Sequence, residues 1–202
     1  IRNVGATFEQ YAGQYQTYPF CEPGRTLTRA DGGTVPVPPG FVAVEWLRPG
    51  EVFVNFDPFD MEWMWAGQMA RFMAVENAYP TWVSPGLPTR IPTTAEVDAP
   101  QQISIRYSNT FIARPELFRP GAVPDLKLIA PVRPGDVAHP SAKVMLFDGH
   151  VAYISKRPPV RENHYDAPAA MQFADGHADV RNPLSATKGV ANVMRPYLES
   201  IG

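Results

Sequence analysis

Ile1-Arg2-Asn3-Val4-Gly5-Ala6-Thr7-Phe8-Glu9-Gln10-Tyr11-Ala12-Gly13-Gln14-Tyr15-Gln16 opens the chain with apolar residues at Ile1, Val4, Phe8, Tyr11 and Tyr15. These spacings of three and four predict a helix with one apolar stripe, and such a stripe needs a second layer to cover it. The stripe is already running at the first residue. No Ser, Thr, Asp or Asn stands before it as a cap, with Glu or Gln three residues on, so the pattern predicts that the natural helix continues upstream of Ile1.

The 202 residues are 45% hydrophobic and 19% charged, which is enough for one good core. A net charge of -2 and the lack of any Lys/Arg cluster exclude a nucleic-acid partner. Twenty-three prolines are spread over nearly every candidate element boundary and predict short elements joined by long, stiffened loops. Only Lys127, Lys143, Lys156 and Lys188 carry ammonium groups, a composition suited to an exported protein. Cys21 has no second cysteine to pair with in this sequence. It is either a buried free thiol or the partner of a cysteine upstream. No apolar run of about 18 residues is present, so no helix of the residues given is expected to span a membrane, and any membrane contact is expected through a segment before Ile1.

In chain order, residues 1–17 are the helix, and residues 18–56 read as a hairpin and strands. Ala30-Asp31-Gly32-Gly33 turns between Thr26–Thr28 and Thr34–Val37, and strands follow at Phe41–Trp46 and Val52–Phe56. Asp57-Pro58-Phe59-Asp60 opens a second helix over 57–77, rich in Met and Trp and apolar on most of its circumference. It is either a buried core helix or an interface, with Trp63, Trp65 and Met69 as the candidate contacts with another subunit. Residues 78–142 read as loops with a strand near 102–112 and a short one at Leu126–Ala130. Residues 143–181 hold two Asp-Gly-His turns, one expected to fold Lys143–Ile154 into a hairpin and one between Ala170 and Val180. A last amphipathic helix is expected over 184–201.

All four histidines, His139, His150, His164 and His177, fall beside Asp148, Asp166, Asp175 and Asp179. Imidazole with carboxylate suits zinc, and carboxylates with loop carbonyls suit calcium. Asp148, His150, His164, Asp175 and His177 are therefore the candidate metal ligands, with calcium the candidate cofactor. The competing reading is structural: Asp-Gly fits turns whose central residues need positive φ. There is no His-Glu-x-x-His, Gly-x-Ser-x-Gly or phosphate-binding glycine loop, and no catalytic residue is assigned.

Several stretches, in order, resemble bacterial prepilin-type proteins of the His-X9-Asp-Gly class. Asn3 to Ala12 is similar to the second half of that family's spine helix. Ile105-Arg106-Tyr107-Ser108-Asn109 resembles its Ser-Tyr-x-x-Asn strand, and His139 to Asp148 its Pro-Ser-x-x-Val-x-Leu-Phe-x-Asp segment. His164 with Phe173-Ala174-Asp175-Gly176-His177 resembles the closing motif, although ten residues rather than nine separate His164 from Asp175. Tyr79-Pro80-Thr81-Trp82 stands where the family carries Cys-Pro. The resemblance implies an α+β pilin-like fold: an N-terminal spine helix on a mainly antiparallel β-sheet, with an inserted Met/Trp-rich helix and long Pro-rich loops, in one domain over 1–202. It implies a non-enzymatic, structural subunit of a type IV pilus or of a type II secretion pseudopilus. Its partners would be copies of itself and the inner-membrane assembly machinery, and its place the periplasm or an extracellular filament, anchored in the inner membrane before assembly. Ile1, Val4, Phe8, Tyr11 and Tyr15 would form the assembly helix face, lying on the protein's own sheet. The rival expectations are a surface-displayed metal- or glycan-binding module and, from the same His/Asp cluster, a hydrolase.

Overall fold

The computed structural model describes residues 1–47, 50–85, 87, 89–91, 103–149 and 168–182. It is an α+β structure with antiparallel sheets. Helix α1 spans Arg2–Tyr15, with no side chain capping its start, and closes on Gln16 in the left-handed conformation. Strands β1 (Leu27–Thr28) and β2 (Thr34–Val35) form one hairpin, and β3 (Val42–Glu45) and β4 (Val52–Asn55) another. Helix α2 spans Met61–Ala70 and α3 Val75–Ala78. Strands β5 (Ile105–Tyr107), β6 (Val144–Asp148), β7 (Ala169–Phe173) and β8 (Ala178–Arg181) make a four-stranded antiparallel sheet in that order. None of the described helices is long and apolar enough to cross a membrane.

The stripe on α1 explains how the layers meet. Val4 and Phe8 are fully buried, and the Phe8 ring lies edge-on to both Trp65 of α2 (5.3 Å) and Tyr107 of β5 (5.0 Å). Gly5 rests on the Gln172 amide of β7, with no room for a Cβ. The expectation that all five stripe residues lie on the sheet is corrected at the lower end. Tyr11 and Tyr15 pack tilted against each other and against Phe72, just past α2, and Tyr15 remains 51% exposed.

Asp57 starts the second helical segment as expected: its side chain accepts from Phe59 N–H (2.8 Å), and Pro58 occupies the first position of a 3-10 turn leading into α2. The helix is shorter than the expected 57–77, ending at Ala70 before α3 resumes at Val75. Arg71, one residue past its end, is drawn aside to Glu45 (3.0 Å) and the Thr28 carbonyl (2.6 Å). Trp63, Trp65 and Met69 are only 5%, 0% and 0% exposed, so the interface reading of these three is overturned. The Trp65 indole N–H donates to the Ile105 carbonyl (3.0 Å), and Trp63 packs against Trp46 and Phe53. Their apolar area is already spent inside the fold.

Three other expectations change. The strand expected at 126–130 is a 3-10 turn over Leu126–Leu128, with one bridge from Ile129 to Ala113. The Asp148-Gly149 step is not a hairpin turn: neither residue has positive φ, and Gly149 N–H continues the ladder to the Ser104 carbonyl (2.8 Å). Strand β6 is hydrogen-bonded on both sides, by β5 and β7. The expected return arm 151–154 and the helix expected over 184–201 lie outside the described residues. Asp175-Gly176 does turn a hairpin, β7 to β8, and only Gly176 takes positive φ (86°). Gly176 N–H donates to Phe173 C=O, and Asp175 accepts from His177 N–H. Arg29-Ala30-Asp31-Gly32-Gly33 repeats that bond pattern between β1 and β2. Both are three-residue hairpin loops in which glycine supplies the left-handed residue.

Glu45, buried at the end of β3, accepts from Ala30 N–H (2.7 Å), Gly50 N–H (3.1 Å) and Arg71 (3.0 Å). Burial alone would raise its carboxyl; the two backbone donors and the guanidinium outweigh that and hold it below the ordinary range. A depressed folded pKa adds stability above the unfolded value of roughly 4.3, lost as pH falls through the folded one. Glu45→Gln is expected to cost about 1–3 kcal/mol near neutral pH in urea melts. The gap from the parent should narrow below about pH 4; a gap independent of pH contradicts this role. Gly67 offers a second test, because a Cβ there would collide with Val44 and come within 2.7 Å of the Glu45 carbonyl. Gly67→Ala should lose about 1–3 kcal/mol. Gly13→Ala, in open space on α1, should gain up to about 1 kcal/mol.

Candidate functional site

The sequence places the chemistry-bearing side chains in the His/Asp cluster, and the sheet register separates them. Phe147 pairs with Met171 and Val144 with Phe173, so Asp148 sits beside the start of β7 while Asp175 lies past its end. About five residues at roughly 3.3 Å each put the two on the order of 15 Å apart. Ligands of one ion lie within roughly 2–2.5 Å of it. Asp148 and Asp175 therefore do not share a metal, which corrects that part of the expectation. His150 and His164 lie outside the described residues. His139 is exposed on the loop before β6. Among the described residues, no three His, Cys, Asp or Glu side chains gather closely enough to hold an ion.

Asp175 and His177 do meet, at 2.5 Å through Nδ1, on the exposed tip of the β7–β8 hairpin. The hydrogen bond from His177 holds the Asp175 carboxyl below its ordinary range. The imidazole is stacked flat on Phe173 (4.2 Å between centroids), whose ring also lies under the Arg181 guanidinium (4.8 Å). The pair buttresses a turn.

Asp148 is of another kind. It is buried at the end of β6 and accepts from the Ser84 hydroxyl at 2.6 Å. Both line a cleft of about 620 Å³ beside the start of α1, whose walls include Ile1, Val83, Ile105, Ala170 and Val180. The cleft is mainly apolar, with Asn3 and Thr81 beside the carboxylate–hydroxyl pair, and the hydrogen bond from the Ser84 hydroxyl to the Asp148 carboxylate anchors the loop carrying Ser84 against the sheet. Sequence reading found Asp148 but not Ser84, which lies among prolines with no periodic signal.

Two other buried groups are chemically quiet. Cys21 is buried, accepts from the Gln68 amide (2.8 Å), and burial pushes its thiol up to about 11. Within residues 1–202 the Cys21 thiol is free and buried. Tyr107 carries a buried hydroxyl with no partner among the described residues, its pKa raised well above 10 by burial. Neither ionises near neutral pH.

Asp148→Ala is expected to lower stability by about 2–3 kcal/mol, because it strips a buried hydroxyl of its charged acceptor. Asp175→Ala, at the exposed tip, should leave the urea midpoint almost unchanged. The reverse order would show that the hairpin pair, not Asp148, is the structural anchor.

No protein-family model matches the chain, and no curated protein or solved structure matches it.

Proposed function

We propose that this chain is the globular part of a structural subunit of a type IV pilus-like or pseudopilus filament. The observation that carries the reading is spatial: the stretches that resemble prepilin-type proteins are scattered in sequence yet form one continuous set of contacts. Phe8 of the helix stretch packs on Tyr107 of the Ser-Asn strand stretch. Gly5 lies on Gln172, and Glu9 reaches Gly176 in the closing turn. Residues 144–148 supply the strand between β5 and β7. The opposite side of α1, with Arg2, Ala6, Gln10, Gly13 and Gln14, is exposed. A helix with one face in its own domain and the other open is suited to a bundle of copies.

In this reading the work of the protein is assembly, its partners are further copies and the inner-membrane machinery, and no side chain turns over a substrate. The test uses the complete gene product in a bacterium with type IV filament machinery. Antibody raised against residues 1–202 should decorate sheared surface filaments or periplasmic pseudopili in negative stain, and roughly 20 apolar residues should precede Ile1. A complete gene product that is strictly monomeric and labels no filament overturns the reading.

A further inference from the structure

We propose that strand β8 is a docking edge for a second copy of this chain, two β8 strands pairing antiparallel about a two-fold axis at Val180. Strand β8 is the last in the sheet order, and among the described residues no strand lies beyond it. Its register settles which groups face outward. Phe173 N–H donates to the His177 carbonyl, so the backbone groups of residues 177, 179 and 181 turn toward β7. Those of Ala178 and Val180 turn to the open edge.

The side chains close that edge in a self-complementary way. Val180 is 61% exposed, and its N–H is taken by the carboxylate of its own neighbour Asp179 (2.8 Å). The other Asp179 oxygen accepts from Arg181 Nε (2.8 Å). When two such strands pair antiparallel at Val180, each valine exchanges both backbone bonds with its counterpart. Asp179 then stands opposite Arg181 of the second copy, and Arg181 opposite its Asp179. Bonds made within one strand are thereby traded for bonds between two.

The charge order selects this arrangement, since parallel in-register pairing would set Asp against Asp and Arg against Arg. Val180 also borders a depression of about 400 Å³ lined by Ile1, Asn3, Ala170 and Ala178, which leaves room for the second valine. A strand this short buries well under the roughly 1,200 Å² of stable complexes, so the pair forms at high local concentration. A two-fold contact closes on itself and cannot extend a polar filament. It makes a dimer of free domains, or joins neighbouring filaments, and does not depend on the filament reading.

Val180→Cys tests the geometry, because hydrogen-bonded antiparallel partners have Cα atoms about 5.5 Å apart, within disulfide range. Mild oxidation should give V180C dimers on non-reducing gels much faster than V123C, a cysteine at a 74% exposed loop position. Buried Cys21 should stay unmodified in both. In the V180C background, Asp179→Arg alone and Arg181→Asp alone should each slow cross-linking severalfold. Mixing these two variants should restore it as a heterodimer, because every cross-strand pair is then Arg with Asp. Circular dichroism melts check that each variant is folded. Cross-linking of V180C no faster than V123C, or no recovery on mixing, overturns the proposal.

Discussion

The ring of Phe8, held edge-on between Trp65 and Tyr107, is the contact on which the described structure turns. It ties the first helix to the second and both to the sheet, and Trp65 passes the contact on to Trp82 and the Ile105 carbonyl. Truncating a fully buried phenylalanine removes transfer free energy and leaves a cavity, together about 3–5 kcal/mol, a large share of the stability of a typical domain. The close approach of α1 to β7 at Gly5 is the geometric condition for that ring to reach its place.

Features fixed by local chemistry were legible in the sequence. Val4 and Phe8 announce their face by spacing, Asp57-Pro58 announces a helical start, and Ala30-Asp31-Gly32-Gly33 announces a turn. What depends on distant partners was not legible. Arg71 has good helix propensity, yet α2 ends beside it, and its side chain reaches Glu45 and the Thr28 carbonyl, partners far away in sequence. The two Asp-Gly-His segments look alike, but the Ala-Asp-Gly step at 174–176 turns a hairpin, while Asp148 stays in strand β6 and the Gly149 N–H, at a bend, still donates to the Ser104 carbonyl.

The candidate site follows the same division. The histidine and aspartate positions stand out in composition, but whether they share a centre depends on strand register, which places Asp148 and Asp175 at opposite ends of one strand pair. Ser84 and the Asp179–Arg181 pair carry no motif. They become visible only once the sheet order shows which groups are buried together and which face outward.

The packing of Gly5 on Gln172 also has a meaning in time. Ribosomes add roughly 5–20 residues per second, so the β7 residue that covers α1 is made about 10–30 s after the glycine it covers. Through that interval the apolar stripe of α1 has no sheet to lie on, and a chain in this state is open to aggregation unless something else shelters the stripe. The large sequence separation between the paired segments also makes the sheet slow to close. Cover for the stripe of α1 before β7 is made is therefore a condition of productive folding, separate from the contacts of the finished structure.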